Sequence, residues 1–270
     1  MIFIRYQGRF GNRMLTSVGA SILARKHNLR VHNYAPDVKD FGVDLFEGGR
    51  TFDNLKKVGD VPKQNWGEPF MNLLEEDKII DYGMDLNALF QQKDFVLKNR
   101  SEIRQHFKHL EYSDVHKNDL FIHVRGGDVS DYIPPYKYYN ESIKNIDFDK
   151  GFISSDSPNH NIVQKLISEH DLKLVRRSSE ATLKFGKNFG NIILTGGTFS
   201  WWIGFLSRAK NIYYPMDSGH AKDGTPYVIR ACGSSPLYDT LGARIVFDKK
   251  KTWSGDIFVF PDWVGVEITQ

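Results

Sequence analysis

The strongest constraint on the fold of this chain is a regular alternation of apolar runs and helical patterns that begins at Asp119. Between the runs, apolar residues recur at the spacing of a helix. The apolar runs are 120–124, 151–155, 172–175, 191–195 and 212–214. Buried runs joined through helices are typical of a parallel sheet covered on both faces. The alternation therefore predicts an α/β fold, in which a ligand lies beyond the carboxyl ends of the strands.

The first residues show the same pattern once. Residues 2–4 form a predicted strand, residues 8–11 a glycine turn, and residues from about Asn12 to His27 a helix with Asn12 as its N-cap. Residues 33–118 are polar and irregular, with candidate helices near 69–76 and 92–108. We therefore expect two Rossmann-like lobes that face a cleft. The predicted divisions are 1–115, 116–250 and a C-terminal segment, 251–270, whose placement is open.

Composition excludes several classes of function. The formal net charge of +3 suits an anionic small molecule, and Lys249 to Lys251 form the only dense basic block, so we expect no nucleic-acid partner. Cys232 is the sole cysteine, which rules out an intrachain disulfide and a thiolate metal cluster. No apolar run reaches the roughly 18 residues of a membrane span, and no signal peptide is evident. The sequence predicts a soluble, cytoplasmic protein without a transmembrane segment.

Three loops at predicted strand ends carry candidate chemistry. Residues 8–13 read GRFGNR, residues 123–128 read HVRGGD, and residues 195–202 read TGGTFSWW. Glycines let a backbone approach a ligand closely, and the start of a helix offers N–H groups to an anion. The third loop is therefore a candidate phosphate site. The alternative is an ordinary turn in which Thr198 caps the helix.

The central loop holds the most specific candidate. Arg125 offers a fixed fork of donors that suits bidentate binding of phosphate. The alternative is an ion pair between Arg125 and Asp128 that braces the turn. By position, Asp128 and Asp131 are the best candidates for a general base. His123 lies within the strand, where a satisfied core histidine is the more common finding, and its neighbours supply no metal-ligand partners.

Other polar and aromatic residues allow two interpretations each. Asp147 and Asp149 match the Asp-x-Asp pattern of metal-dependent sugar transfer, but they precede a strand and so fall at the wrong end of the sheet; we expect no metal. Asp156 follows a strand at the functional edge, where it could bind a ribose or base, or cap the next helix. Trp201 and Trp202 could stack on a base or sugar, although their helical position favours core packing.

Together these segments resemble the α1,2-fucosyltransferase family. That family shows Gly-x-x-Gly-Asn-Gln-Met near the N-terminus, His-x-Arg-Arg-Gly-Asp at a central strand end, a Ser-Asp-Asp-like stretch, and then Ser-Asn-Ser-Thr-Phe-Ser-Trp-Trp. Here the matching segments are 8–14, GRFGNRM; 123–128, HVRGGD; 154–158, SSDSP; and 195–202, TGGTFSWW. Order and spacing agree over roughly residues 1–215, and the Thr-Phe-Ser-Trp-Trp match is the most specific.

The resemblance implies a two-lobed glycosyltransferase fold of the GT-B type, with an acceptor side in 1–115 and a donor lobe in 116–250. It also implies that Arg125 holds the donor pyrophosphate and that His123 helps to seat the guanine. The other donor-binding residues would be Gly11, Asn12, Arg13, Asp156, Gly197, Thr198, Phe199 and Ser200. The chain departs from the family pattern at Gly126, where the second arginine is lost, at Arg13, where the family has glutamine, and at 195–197.

The function that follows is metal-independent, inverting transfer of a sugar to a hydroxyl of a glycan acceptor. L-fucose from GDP-fucose is the expected donor, and no cofactor is expected beyond this nucleotide sugar. One alternative is a related enzyme that uses another GDP- or UDP-activated sugar. A second is a sugar-nucleotide or glycan binding protein that has lost catalysis, which the loss of an arginine at Gly126 makes conceivable. The missing Walker lysine counts against a sulfo- or phosphotransferase.

Overall fold

The computed structural model describes residues 1–60, 67–127 and 133–216, with three short strands between 245 and 267. By their contacts the residues divide into unit one, Met1–Leu110, and unit two, Glu111–Gln270. Each unit contains a sheet of parallel strands flanked by helices, so the α/β prediction is confirmed. Within each unit the arrangement is compatible with a Rossmann-like fold.

Unit one contains a parallel sheet of four strands in its described part. They are β1 (Ile2–Ile4), β2 (Leu55–Gly59), β3 (Glu68–Pro69) and β4 (Gly83–Asn87), and their order across the sheet is β1-β4-β2-β3. The helices of this unit are α1 (Phe10–His27), α2 (Pro36–Phe41), α3 (Phe70–Glu75), α4 (Lys93–Lys98) and α5 (Arg100–Gln105).

Aromatic packing holds the unit-one helices together. The rings of Phe70, Phe90 and Phe95 lie 4.4 to 5.5 Å apart. The Phe90 ring lies against Gly19 of α1, where an added Cβ would be 2.3 Å from a ring carbon. The absence of a side chain at Gly19 therefore lets α1 approach this aromatic cluster closely.

Unit two contains the predicted alternation. Its strands are β5 (His116–Val124), β6 (Gly151–Ser155), β7 (Lys173–Leu174), β8 (Phe189–Ile193), β9 (Asn211–Met216), β10 (Ile245–Phe247), β11 (Lys251–Trp253) and β12 (Val264–Glu267). Within the described residues, six of them form a sheet in the order β12-β9-β8-β5-β6-β7, and every neighbouring pair is parallel. Strands β10 and β11 pair with each other in antiparallel fashion.

Helices cover both faces of the unit-two sheet. They are α6 (Tyr136–Lys144), α7 (Asn161–His170), α8 (Ser179–Gly186) and α9 (Thr198–Leu206). Leu120, Ile122 and Val124 of β5 belong to one buried cluster with residues of α6 and α7. Phe121 packs instead against Phe185 of α8, with ring centroids 5.9 Å apart. This alternation along β5 places apolar side chains on both faces of a central parallel strand.

Several helix boundaries differ from the predicted ones. Helix α1 begins at Phe10 rather than Asn12, because the Phe10 ring is buried against Phe41 and this packing is made from the first turn of the helix. Helix α9 begins at Thr198 with Gly197 as N-cap, so Thr198 is not the cap. The predicted helix over 92–108 is two helices that meet at Asn99. Core packing of Trp202 is confirmed, since the residue is fully buried, and Trp201 is also buried.

No helix in the described part of the chain is both long enough and apolar enough to cross a membrane. Cys232, Lys249 and Lys250 lie outside the described residues, as do Asp128 and Asp131.

Candidate functional site

Three neighbouring strands of unit two end at the same edge of the sheet. In the register, His123 of β5 pairs with Ser154 of β6, and Ile122 of β5 pairs with Ile193 of β8. The segments that follow these strands begin at Arg125, Asp156 and Leu194. Because the strands are parallel and adjacent, their carboxyl ends bring these segments side by side. The structure thus brings together the described residues of three motif segments, 123–128, 154–158 and 195–202.

Arg125 lies at the centre of this edge. Its Nη1 donates to Asp156 Oδ2, and its backbone N–H donates to Thr195 Oγ1 over 3.0 Å. The side chain of Arg125 is 19% exposed and that of Asp156 is 31% exposed, so solvent reaches the pair. Arg125 is therefore braced by an aspartate, as one alternative anticipated, but the partner that the structure describes is Asp156, directly after β6.

The two glycines after Arg125 pack against the segment that follows β6. Gly126 N–H donates to Asp156 Oδ1 over 2.6 Å, and Gly127 N–H donates to Ser157 Oγ over 2.7 Å. A Cβ added at Gly126 would lie 2.5 Å from Ser157 Oγ, and one at Gly127 would lie 2.8 Å from Asp156 Oδ2. Gly127 also has a φ of +56°, which side chains disfavour. An arginine at position 126 therefore does not fit this loop.

Asp156 and Ser155 do not cap helix α7, contrary to one interpretation of the sequence. The helix begins at Asn161, and its N-cap is His160, whose side chain accepts from Ile162 N–H. Ser155 Oγ instead accepts from Ser157 N–H over 2.9 Å. This local bond tightens the turn after β6 and directs the Asp156 carboxylate toward Arg125.

Helix α9 starts beside Arg125. Gly197 has φ +104° and ψ 147°, a conformation that is essentially restricted to glycine, and it turns the chain from β8 into the helix. The first N–H groups of a helix have no partner within the helix and lie at the positive end of its dipole. Thr198 and Ser200, on the first turn, are buried, and Phe199 is half-buried. The first turn of α9 thus adds backbone donors to the edge that Arg125 occupies.

A chain of hydroxyls links this turn to His123. Ser200 Oγ lies 2.6 Å from His123 Nδ1 and 3.0 Å from Thr195 Oγ1. These contacts agree in direction when Arg125 N–H donates to Thr195, Thr195 donates to Ser200 and Ser200 donates to Nδ1, which leaves the imidazole proton on Nε2. Burial, and secondarily the nearby Arg125 charge, lower the pKa of His123 to about 3. His123 is therefore a neutral core histidine whose Nδ1 accepts a hydrogen bond, and its ring centroid lies 5.0 Å from that of Phe199.

The first motif lies in unit one and has different surroundings. Asn12, in the first turn of α1, accepts a hydrogen bond from Gln91 Nε2 over 3.0 Å. Arg13 donates through Nε to Asp37 Oδ2 over 3.1 Å and through Nη1 to Gly8 O over 3.4 Å. The Arg13 charge is thus paired within unit one, and Gly11 is buried. The donor-binding role predicted for this loop stays a prediction.

Sequence reasoning missed one buried acid in unit one. Asp60 follows β2, and its Oδ2 accepts from Leu89 N–H, while its Oδ1 is buried and has no hydrogen-bond partner among the residues that the structure describes. Burial raises the pKa of Asp60 to about 7, against the opposing effect of its backbone hydrogen bonds. Such a group was hard to find, because β2 carries two exposed lysines, Lys56 and Lys57, where an apolar run would have marked a strand.

The remaining predicted residues fall away from this edge. Asp147 and Asp149 precede β6 and lie at the amino end of that strand, as expected; Asp149 Oδ2 is bound by the Asn118 amide over 3.4 Å. Within the part of the chain that the structure describes, no three His, Cys, Asp or Glu side chains are grouped so that they could hold a metal ion.

Comparison with known proteins adds no relative. No protein-family model, no curated protein and no solved structure matches the chain. A functional assignment therefore depends on the geometry of the unit-two edge and on the sequence motifs that line it.

Proposed function

We propose that this protein is a metal-independent, inverting glycosyltransferase that moves a sugar, L-fucose from GDP-fucose in the first instance, to a hydroxyl of a glycan acceptor. The observation that carries the proposal is the convergence of the Arg125 guanidinium, the glycine-loop N–H groups and the start of α9 at one sheet edge. These donors suit the diphosphate of a nucleotide sugar. The sugar, the guanine, the metal independence and a two-lobed GT-B arrangement come from the resemblance of the motifs to α1,2-fucosyltransferases.

In the proposed reaction, the acceptor hydroxyl attacks the anomeric carbon from the face opposite the diphosphate. A bond forms between the acceptor oxygen and this carbon while the bond from the carbon to the diphosphate oxygen breaks, so the configuration inverts. The bonding electrons leave with the diphosphate, and Arg125 together with the start of α9 stabilises the charge that develops there. The buried Ser200 hydroxyl supports this loop through His123 and Thr195. Asp128 and Asp131 stay the predicted acceptors of the proton.

A second candidate is a nucleotide-sugar binding protein without transferase activity. The observation that favours it is the packing of Gly126 against Ser157, which excludes the second arginine of the family motif. A site with one arginine still binds a diphosphate, but it has less positive charge with which to stabilise a departing one. This candidate predicts binding of the donor with neither transfer nor slow hydrolysis.

Nucleotide binding and turnover test the proposal. GDP should raise the melting temperature more than UDP does, because the resemblance implies a guanine site. A ligand at 100 times its Kd adds about 2.7 kcal/mol of stability, so the nucleotide that binds more tightly gives the larger shift. Transfer from GDP-fucose to a panel of glycans should proceed equally with and without EDTA. A clear preference for UDP would overturn the fucose assignment, and activity lost in EDTA and restored by manganese would overturn the metal-independent mechanism. Binding of GDP-fucose without any turnover would favour the second candidate.

A further inference from the structure

We infer that Asp156 is a built-in competitor for the phosphate site, which makes the site select a diphosphate over a single phosphate. The inference rests on the proposed function, because it concerns the same edge of unit two. It assigns Asp156 a specificity role that differs from a contact with ribose or base.

The Asp156 carboxylate occupies the donors that an anion would use. Its Oδ1 accepts from Gly126 N–H over 2.6 Å, and its Oδ2 accepts from Arg125 Nη1. One oxygen thus takes a backbone N–H and the other a guanidinium, which is how two oxygens of a phosphate group would be held at this loop. The carboxylate is a planar anion of single charge in a place suited to a phosphate.

The loop is shaped to admit this carboxylate. A side chain at Gly127 would approach Asp156 Oδ2 to 2.8 Å, and one at Gly126 would collide with Ser157. Two hydrogen bonds fix the turn after β6: Ser157 N–H donates to Ser155 Oγ, and Gly127 N–H donates to Ser157 Oγ. Asp156 is therefore held against Arg125 by the backbone on both sides of the pair.

The pair is nevertheless accessible to a ligand. Both side chains are partly exposed, and ion pairs that solvent reaches contribute little to stability, so an anion can exchange with the carboxylate. A single phosphate that displaces Asp156 gains the same two donors and leaves a carboxylate beside it, so its net gain is small. A diphosphate extends beyond the space that the carboxylate fills, and its second phosphate would lie toward the start of α9, which follows Thr195, the acceptor of Arg125 N–H. Selection for a diphosphate follows from this difference.

Calorimetric titration of the full chain at constant ionic strength tests the inference, with inorganic pyrophosphate and inorganic phosphate as probes. Asp156→Asn keeps an oxygen for Gly126 N–H but removes the competing charge. This variant should bind pyrophosphate about tenfold more tightly than the wild-type chain, because removal of the negative charge removes its repulsion of the anion. Its preference for pyrophosphate over phosphate should be smaller than that of the wild-type chain. Asp171→Asn is the matched control: it removes one negative charge at the left-handed end of α7, where asparagine fits, and should change neither affinity.

The gain should depend on Arg125. In the double variant Arg125→Ala/Asp156→Asn, pyrophosphate affinity should equal that of Arg125→Ala alone. In the wild-type chain, saturating pyrophosphate should also shift the amide resonance of Gly126, since its acceptor changes; this measurement serves if Asp156→Asn fails to fold. Pyrophosphate that leaves the Gly126 resonance in place would contradict displacement.

Unchanged or weaker binding of pyrophosphate by folded Asp156→Asn would overturn the inference, and weaker binding would identify Asp156 as a brace for Arg125. Failure of both the wild-type chain and this variant to bind pyrophosphate would overturn it as well. The proposed function is judged separately by sugar transfer in the wild-type chain. If the wild-type chain transfers sugar but Asp156→Asn binds pyrophosphate no more tightly, the proposed function holds and this inference fails. If Asp156→Asn binds pyrophosphate more tightly but the wild-type chain transfers no sugar, the anion site and the role of Asp156 hold and the proposed function fails.

Discussion

Each unit has an arginine close to the end of a strand that is paired with an aspartate, Arg13 in the first turn of α1 and Arg125 directly after β5, but the two pairs have different neighbours. In unit one, Arg13 contacts Asp37 and the Gly8 carbonyl oxygen, which are both acceptors. In unit two, Arg125 shares its aspartate with a backbone N–H, at the edge where α9 begins. A carbonyl beside a guanidinium repels an anion, while a second donor attracts it. The groups around each guanidinium, acceptors in unit one and a further donor in unit two, therefore decide whether the loop can attract an anion.

In each unit one buried group has a large pKa shift that falls between pH 3 and pH 7, and these two shifts have opposite signs. Unit one encloses an acid, Asp60, whose pKa is raised to about 7, and unit two encloses a base, His123, whose pKa is lowered to about 3. Burial is the largest cause of both shifts, since it disfavours the charged form of either group. Both groups are therefore mostly neutral in the folded protein between about pH 3 and pH 7.

The largest expected effect is an opposite dependence of the two units on pH. Asp60 keeps its proton in the folded state between its ordinary pKa of 3.8 and about 7, so its contribution is complete below 3.8 and is lost as pH rises through 7. His123 is uncharged in the folded state between about 3 and its ordinary 6.5, so its contribution is complete above 6.5 and is lost as pH falls through 3. Each contribution is on the order of 4 kcal/mol.

Amide hydrogen exchange, followed by mass spectrometry on peptides from each unit and corrected for intrinsic exchange, separates the two effects. Between pH 5 and pH 7, protection should rise in unit two. In unit one it should fall, because the loss from Asp60 outweighs the opposing gain from the buried His27 and His106, whose pKa values burial also lowers. Asp60→Asn keeps an acceptor for Leu89 N–H and should remove the fall in unit one while leaving the response of unit two unchanged. A common direction in both units would contradict the assignment of Asp60 and His123 as the dominant groups.

A smaller effect should separate the buried hydroxyls of the two units. Ser200→Ala leaves His123 Nδ1 without its partner in a fully buried place and should cost about 1–3 kcal/mol of unfolding free energy. Ser17→Ala is the matched control, because Tyr6, which Ser17 contacts over 2.7 Å, still accepts from Ala35 N–H. Urea denaturation should show the larger loss for Ser200→Ala. Equal losses would mean that the hydroxyl chain around His123 contributes no more than an ordinary hydrogen bond.

The sequence predicted unit two far better than unit one, for a physical reason. Strand β6 is bounded as predicted at Gly151–Ser155, because burial on both faces leaves an apolar run. Strands β2 and β4 of unit one were missed, since charged residues interrupt them. Asp85 of β4 is bound by Arg5, which follows β1, with Nε to Oδ1 at 2.5 Å. An ion pair between neighbouring strands cannot be recognised from periodicity along one strand.

The site was predictable to the level of loops and not to the level of partners. Parallel topology alone placed Arg125 and the α9 start at one sheet edge. In the alternative interpretation of the loop the partner of Arg125 is Asp128, three residues away and outside the described residues, whereas the structure pairs Arg125 with Asp156 through the register of β5 and β6. Register depends on packing over whole strands, so the local motif did not contain this information.

Turnover by Arg125→Ala, measured beside Arg13→Ala with saturating GDP-fucose, tests the central claim most directly. The account predicts that Arg125→Ala stays folded and loses roughly 100- to 1,000-fold in turnover, the scale of one preorganised donor that stabilises developing charge. Arg125→Lys should restore only part, because a point charge cannot reproduce the guanidinium fork. Arg13→Ala, whose charge is paired with Asp37, should lose far less. With melting temperature recorded on the same preparations, a folded and fully active Arg125→Ala would contradict the account.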